Sequence, residues 1–495
     1  MPSSSSNRLA ALGARFSRRR TWLARRLERF ERLPPAFLPI LWFAVQIVVG
    51  ALLLWLPASR SDASDAGFST ALFTAASAAC VTGLATVDIA SFYSPFGKAV
   101  IAVWIEIGGL GVMTFAALGF QLFRTRLSLT TQAALDDSLF QRSAARDFRR
   151  AFGRILKTVF VIQGAGALLL FPALWIGHRG DPEYGNVGFC LASALFHAVA
   201  AFCNAGISLY PDSLSRFDGH PAVLTVIMAL IVLGGIGHTV LLELRQAWRR
   251  FRRVGVPFGR AAPMSLNTRT ALWVTAIIIA GTAAGLGLVG LRGTGGVSVS
   301  WLTTLFQAVS ARTAGFHVAP VESIPLAGLL LITLAMFIGG SPGSCAGGVK
   351  TTSAAVLFAW LRSAARGEAE AHWFDRALPP GLIHKTMQLV ALAVIWNGAG
   401  VFVLSITEFT EAAAVGRAGT PEGGWGLMPL VFEQISAFGT VGLTTGVTPT
   451  LSACGKLWIA ASMYMGRLGP LALVMGMAPA APSRVRRADG RLMIG

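Results

Sequence analysis

Four segments of this chain repeat one pattern, and that pattern limits the possible folds more than any other feature. They are LFTAASAACVTGLATVD from Leu72, LFHAVAAFCNAGISLYPD from Leu195, LFQAVSARTAGFHV from Leu305 and VFEQISAFGTVGLTTG from Val431. Phe73, Phe196, Phe306 and Phe432 share the second position, and a common glycine follows at Gly83, Gly206, Gly315 and Gly442. The Phe-to-Gly spacing is 10, 10, 9 and 10, so the third copy lacks one residue. Each copy lies between two apolar stretches, and the second stretch carries its own mark. The marks are Gly108-Gly109-Leu110-Gly111, Gly234-Gly235-Ile236-Gly237, Gly339-Gly340-Ser341-Pro342-Gly343 and Gly466-Arg467-Leu468-Gly469-Pro470.

The unit therefore reads as span, short half-helix, glycine loop, span. Four units predict eight spans and four re-entrant loops. The short segments, about 67–80, 187–203, 297–311 and 427–438, fall below the ~20 residues needed to cross a bilayer. Non-helical backbone at membrane depth is tolerated only where it is buried in protein or lines a cavity. Four such loops in one chain imply an all-α polytopic membrane protein, its repeats in pseudo-fourfold arrangement around one central pore.

Composition agrees. Of the 495 residues, 54% are hydrophobic and only 13% charged, against about 25% charged in a soluble domain. Pro35 to Pro57 holds no formal charge and reads as a retained first span. The net charge is +19. Of the 42 Lys and Arg residues, 32 lie in 1–34, 124–157, 245–269, 362–385 and 484–491, between or outside alternate pairs of spans. The positive-inside rule then places both termini in the cytoplasm. The opposite connections carry Asp62, Asp65, Asp88, Asp181, Glu183, Asp212, Asp218, Glu322, Glu411 and Glu422; these either concentrate cations near a pore mouth or are ordinary solvated loops. Because the basic charge follows topology, no nucleic acid is expected, and anionic membrane lipid is the simpler partner. Cys80, Cys190, Cys203, Cys345 and Cys454 form no CxxC pair or metal-ligand spacing and read as packing residues.

The organisation expected is a basic cytoplasmic segment 1–34, repeats at 35–123, 150–250, 269–366 and 380–479, and a cytoplasmic tail 480–495. The loops offer their own chemistry. Thr440-Val441-Gly442-Leu443 reads as a potassium-channel filter, in which backbone carbonyls replace the ion's water shell. Glycine reaches the backbone angles needed to aim consecutive carbonyls inward. The expected ion-binding residues are Val81, Thr82 and Gly83; Asn204, Ala205 and Gly206; Thr313, Ala314 and Gly315; and Thr440, Val441 and Gly442. Leu84, Ile207, Phe316 and Leu443 would pack each loop against the scaffold.

The second span of the third repeat should break, because Gly costs roughly 1 kcal/mol and Pro roughly 3 in a helix interior. Gly339, Gly340, Ser341, Gly343, Ser344, Cys345, Gly347 and Gly348 would then form a loop beneath the filter that blocks the pore and moves aside, unless the kink is static. Arg467, within an apolar span, either anchors that loop through carbonyls or repels cations; intramembrane Arg residues are usually functional and partnered. Glu106, near the first repeat's glycine mark, is one candidate partner for Arg467. Lys350 sits at the loop's inner end, acting on the loop or snorkelling to the cytoplasm. Glu433 and His197 should make structural hydrogen bonds behind the filter.

These motifs resemble the Trk/Ktr/HKT superfamily of potassium transporters, most closely the Ktr membrane subunits. VTGLA at Val81, NAGIS at Asn204, RTAGF at Arg312, SAFGTVGLTTG at Ser436, GGSPGSCAGGVKTT at Gly339 and GRLGP at Gly466 carry the likeness over residues 35–495, together with the ending ADGRLMIG. The resemblance implies potassium as the transported ion, with sodium as a second candidate. Gly83 in place of the Ser that accompanies sodium permeability favours potassium. It also implies gating by the Gly339–Gly348 loop with Arg467, a homodimer in the bacterial cytoplasmic membrane, and a cytoplasmic ring of RCK-type regulatory subunits binding ATP or ADP. This chain shows no nucleotide-binding fingerprint, so nucleotide would act only through the partner. The departures from the family pattern are Ile207, Cys345, Glu106, His238 and the Arg-rich stretch Arg8 to Arg32, which reads either as a basic amphipathic helix on the inner leaflet or as a disordered tail.

Other classes fit less well. Carriers show inverted repeats, whereas these repeats run in one orientation. HExxH does not occur, and no carboxylate pair lies in the apolar segments, so an enzyme is not expected.

Overall fold

The computed structural model describes residues 37–61, 67–111, 148–254, 264–290, 300–415 and 426–469. The basic segment 1–34, the tail 480–495 and most of the basic connection 124–157 lie outside the described residues, as does Pro470.

The first repeat supplies α1 (Phe37–Trp55), the short α2 (Phe68–Cys80) and α3 (Pro95–Gly109). The second supplies α4 (Phe148–Gly177), the short α5 (Val187–Cys203), α6 (Pro221–Gly235) and α7 (His238–Val254). In the third are α8 (Leu266–Val289), the short α9 (Trp301–Ser310), α10 (Leu326–Phe337) and α11 (Thr351–Arg366). A two-residue hairpin, His372–Trp373 with Arg376–Ala377, leads to α12 (Pro380–Val415), the short α13 (Leu427–Gly439) and α14 (Ala453–Leu468). Local chemistry sets several helix starts. Ser94, Ser265, Ser300 and Ser452 each accept, at the side-chain oxygen, the amide three residues on, the usual N-cap bond.

Among the described residues, three helices are long and apolar enough to cross a bilayer singly: Ile155–Gly177, Leu266–Val289 and Pro380–Glu408. Their apolar side chains face outward; Leu288 is 90% and Leu168 77% exposed, as suits a hydrocarbon solvent. The second helices α3, α6, α10 and α14 have 15, 15, 12 and 16 residues. At 1.5 Å per residue these reach at most about 24 Å, short of the ~30 Å core. Each stops at its glycine mark.

A break was expected in the third repeat's second span, and the second repeat has one as well. In the second repeat, α6 and α7 are bent by 105° at Ile236-Gly237. The third repeat does break between Phe337 and Thr351, as its glycines and proline lead one to expect.

Packing closes on itself. Half-helices α2, α5 and α13 lie against both flanking helices of their own repeats. Further, α3 packs on α5, α6 on α9, α10 on α13, and α14 returns to α2. The half-helix phenylalanines Phe73, Phe196, Phe306 and Phe432 are all buried.

The glycine marks make this contact possible. A Cβ on Gly108 would overlap the Ala79 carbonyl oxygen, one on Gly234 that of Phe202, and one on Gly466 that of Phe438. Each carbonyl belongs to the residue four before its repeat's loop glycine. The same register recurs three times: the second helix can reach the end of its half-helix only where it lacks a side chain. In the third repeat, Gly339 instead meets the carbonyl of Gly347.

Candidate functional site: four glycine loops and a docked glycine-rich segment

The four half-helices end in one way. The residue two before each loop glycine lies in left-handed backbone: Val81 at φ 56°, Asn204 at 60°, Thr313 at 66° and Thr440 at 50°. The glycines themselves have φ 96°, 64°, 80° and 96°. Left-handed φ costs a non-glycine residue roughly 1 kcal/mol or more, so four such residues in register require support from their surroundings. Backbone bonds provide part of it. Thr82 N donates to Ser77 O at 2.8 Å, Ala205 N to Ala200 O at 2.8 Å, Ala314 N to Ser310 O at 2.9 Å and Val441 N to Ser436 O at 2.8 Å.

Side chains provide the rest. Ser77 Oγ accepts from Gly83 N at 3.0 Å, and Ser436 Oγ accepts from Gly442 N at 3.1 Å while donating to Leu443 O at 2.7 Å. Ser310 Oγ donates to Phe316 O. Sequence reasoning missed these serines, although their signal was present: Ser77, Ser310 and Ser436 stand four residues after the shared phenylalanine, with Ala200 in the second copy. Asn204, its amide nitrogen turned toward the helix carbonyls, reaches Ala201 O at 2.9 Å and Ile231 O at 3.1 Å. Leu84, Ile207, Phe316 and Leu443 are buried, as expected of residues that seat the loops.

The loops meet in order. A Cβ on Gly83 would overlap the carbonyl oxygen of Ala205, one on Gly206 would crowd that of Ala314, one on Gly315 would overlap that of Val441, and one on Gly442 that of Thr82. Each glycine therefore faces the carbonyl that precedes the next loop's glycine, and the fourth faces the first. Among the twelve residues expected to bind ions, all four glycines and the carbonyls of Thr82, Ala205, Ala314 and Val441 come together.

Behind the loops, Glu433 accepts from Thr448 Oγ1 at 2.7 Å, from Thr445 N at 3.1 Å and from Thr444 Oγ1. His197 bonds Ser193 O at 2.8 Å and Ser208 Oγ at 3.1 Å, and stacks on Tyr210 with ring centroids 5.3 Å apart. Both side chains hold the turn that follows a loop.

The segment between α10 and α11 docks beneath this assembly. It reaches the second repeat through Ser341 N to Gly235 O at 3.0 Å, Cys345 N to Gly234 O at 3.4 Å and His238 N to Gly343 O at 3.1 Å. Toward the fourth repeat, Gly347 N donates to Thr440 Oγ1 at 3.0 Å, and a Cβ on Gly348 would stand 3.4 Å from Gly439 Cα. Within the segment, Thr351 N donates to Gly340 O at 3.1 Å and Thr351 Oγ1 to Ser341 Oγ at 3.0 Å. Ser344 Oγ accepts from Ala346 N at 3.3 Å.

Arg467 donates from Nη1 to Cys345 O and from Nη2 to Gly108 O, and its guanidinium lies 5.8 Å from the Phe43 ring centre. Glu106, the candidate ionic partner, is not there. Its carboxylate accepts from Gln163 Nε2 at 2.7 Å and from Cys203 Sγ at 3.4 Å. Two backbone carbonyls fit the guanidinium's fork and spare the burial of a second full charge. Lys350 turns back to Ala346 O at 2.6 Å and Gly347 O at 3.4 Å, so it holds loop carbonyls and does not snorkel outward.

With this geometry in place, comparison with known proteins is specific. The family profile described as TrkH, cation transport protein, matches residues 37–485. The Ktr system potassium uptake protein B of Bacillus subtilis is 35% identical over 463 residues, covering 93% of this chain and 97% of that protein. The potassium/sodium uptake protein NtpJ of Enterococcus hirae is 33% identical over 456 residues, covering 90% and 93%. The crystal structure of the potassium transporter TrkH from Vibrio parahaemolyticus shares the fold, with a TM-score of 0.64 at 16% identity over 89% of this chain and 84% of that one. These relatives are ion transporters and not enzymes. By the extent of the family match and the identity to its relatives, the chain belongs to the TrkH family of cation transport proteins, and is a helical membrane protein that transports cations.

Proposed function

We propose that this chain is the ion-translocating subunit of a potassium uptake system, with a filter built by its four glycine loops around one pore in pseudo-fourfold arrangement. The observation that carries this reading is the cyclic contact of each loop glycine with the carbonyl of the next loop. Carbonyls gathered without a fixed charge suit a dehydrated monovalent cation that must also leave. The Bacillus subtilis relative is a potassium uptake protein and the Enterococcus hirae relative a potassium/sodium uptake protein; this supports potassium as the main ion and admits sodium as a second ion that permeates or assists.

In this reading the docked segment Gly339–Gly348 is the gate, held shut by Arg467, Lys350 and Thr440. A separate cytoplasmic ring of nucleotide-binding RCK-type subunits pulls it open, with ATP or ADP acting only on that ring. The chain works as a homodimer in the bacterial cytoplasmic membrane, with both termini inside.

Rescue of growth at limiting potassium in uptake-deficient cells tests the assignment, with and without a co-expressed regulatory subunit. Rescue that depends on potassium and strengthens with the subunit is expected. Absence of rescue by protein that reaches the membrane in folded form refutes potassium uptake.

A further inference from the structure

Helix α7 (His238–Val254) lies at the level where two spanning helices begin. It follows α6 after a 105° bend at Ile236-Gly237, so with α6 crossing the bilayer it runs close to the membrane plane. Two contacts fix its depth. Arg245 Nη1 donates to Thr158 Oγ1 at 3.2 Å, close to the first residue of the Ile155–Gly177 span. Glu243 Oε2 accepts from Ser265 N at 3.2 Å and from Ser265 Oγ at 3.1 Å, and Ser265 caps the start of the spanning helix α8. Both span ends adjoin the basic connections 124–157 and 245–269, which the positive-inside rule puts on the cytoplasmic side.

The apolar face of α7 runs past its protein cover. Val240, Leu244, Ala247 and Phe251 are spaced by four, three and four residues, so they share one side of the helix. Val240 and Ala247 are buried and Leu244 packs on the core, whereas Phe251 is 40% and the adjoining Trp248 53% exposed. Their rings lie 5.9 Å apart, and the Arg252 guanidinium stands 5.9 Å from the Trp248 ring centre. Arg249, Arg252 and Arg253 form the neighbouring face and are exposed. From Leu244 to Val254 no acidic residue occurs. At this depth the aromatic pair fits the edge of the hydrocarbon, and the guanidiniums fit the phosphates of anionic headgroups just above it. Depth favours lipid over a protein partner, because the rings stand level with the ends of the spans. The first residue of α7 also touches the docked segment. His238 N donates to Gly343 O at 3.1 Å, and a Cβ on Gly237 would overlap the Pro342 carbonyl oxygen. The segment can leave the loops and keep this bond only if α7 moves with it.

We infer that α7 is a docking surface for anionic phospholipid of the inner leaflet, bound through Trp248, Arg249, Arg252 and Arg253, and that lipid bound there holds the docked segment in place. The binding stands on α7 alone; its effect on flux rests on the reading of that segment as the gate. Headgroups paired with the arginines resist lifting of α7 from the leaflet. They therefore favour the docked state over one in which α7 has moved with the segment. Basal cation flux falls as the anionic share of the leaflet rises.

The full-length protein is tested in two ways. In native mass spectrometry it should bind added phosphatidylglycerol more tightly than phosphatidylcholine, and a variant combining Arg249→Gln, Arg252→Gln and Arg253→Gln should lose at least one bound phosphatidylglycerol. Rubidium flux is then measured without any partner subunit. The parent should conduct roughly fivefold less in equimolar phosphatidylcholine and phosphatidylglycerol than in phosphatidylcholine alone, and the triple variant should lose most of that difference. Comparing the two proteins in the same liposomes cancels the effect of surface charge on local rubidium. Equal binding of the two lipids by the parent, or equal phosphatidylglycerol binding by parent and variant, refutes the lipid site; loss of regulatory-subunit binding by that variant would then make the face a protein dock. Lipid binding lost in the variant, with the lipid dependence of flux unchanged, refutes the hold on the segment. In that case a shortened Gly339–Gly348 segment that still raises flux leaves the gate standing, and one that does not removes the gate as well.

Discussion

The Gly347 amide donates to the Thr440 hydroxyl at 3.0 Å. Gly347 belongs to the docked segment and Thr440 begins the fourth glycine loop, so one bond joins the proposed gate to the proposed filter. Thr440 is already in left-handed backbone, and a Cβ on Gly347 would overlap its hydroxyl. The approach therefore depends on glycine on one side and on a hydroxyl on the other.

Replacing Thr440 with Val keeps the shape and removes the acceptor. A buried N–H without a partner costs about 1–3 kcal/mol, charged here against the docked state. Basal rubidium flux into liposomes without any partner subunit should rise roughly fivefold or more. Unchanged flux in a variant of normal thermal stability would separate this bond from gating.

Arg467 distinguishes an anchor from an electrostatic barrier. As an anchor it acts through two hydrogen bonds to the carbonyls of Cys345 and Gly108, and hydrogen bonds from a charged group contribute about 1.5–3 kcal/mol each. Lysine keeps the charge but lacks the planar fork. The anchor reading expects Arg467→Lys and Arg467→Gln both to raise basal flux. If the Lys variant behaves like the parent while the Gln variant leaks, charge and not anchoring holds the pore closed.

Much of this arrangement was legible in the sequence, and the limits of legibility are physical. Shared Phe and Gly columns revealed the repeated unit because both residues answer to backbone and packing constraints that recur in every copy. The serine column at Ser77, Ser310 and Ser436 was equally regular but went unused, since a serine within a half-helix is common and its bond to the loop backbone depends on the loop's turn. The marks at Gly108, Gly234 and Gly466 were visible as glycine, yet their reason lies in carbonyls 29, 32 and 28 residues earlier, at Ala79, Phe202 and Phe438. For Arg467 the sequence pointed to loop carbonyls as one anchor and to Glu106 as a candidate partner, and could not point to the Gly108 carbonyl. Sequence patterns mark which side chains exist and not which carbonyls a folded segment presents to them.

The two glycines of the second mark should respond differently to alanine. At Gly234 a Cβ would overlap the Phe202 carbonyl, whereas at Gly235 the nearest atom belongs to the Asn204 side-chain amide, 3.3 Å away. Overpacking of this kind typically costs about 1–3 kcal/mol. Gly234→Ala should lower the melting temperature in detergent clearly, with Gly235→Ala close to the parent. Equal stability of the two would mean that α6 does not need its close approach to α5.

Selectivity should follow the loop glycines. Gly442 has φ 96°, and a side chain there would displace the Thr82 carbonyl; Gly83, also at 96°, stands in the same relation to Ala205. Gly442→Ser or Gly83→Ser moves one carbonyl out of the ring, and a looser ring discriminates less between cations that differ in hydration. The ratio of potassium to sodium flux should fall in both variants, while total cation flux is retained. An unaltered ratio in either folded variant would remove that loop from the filter.

Shortening the docked segment tests it as a gate without touching the loops. Removing Pro342, Gly343 and Ser344 deletes the bond from His238 N to Gly343 O and the Ser344 bond to Ala346, and leaves Thr440 and Arg467 in place. The docked state thus loses its bond to His238 and a bond within the segment, and is weakened. Basal flux without the regulatory subunit should rise, and addition of that subunit should change it less than in the parent. A folded deletion with the parent's basal flux and the parent's response would leave the segment as a static plug in the fold, and control of the pore would have to lie elsewhere.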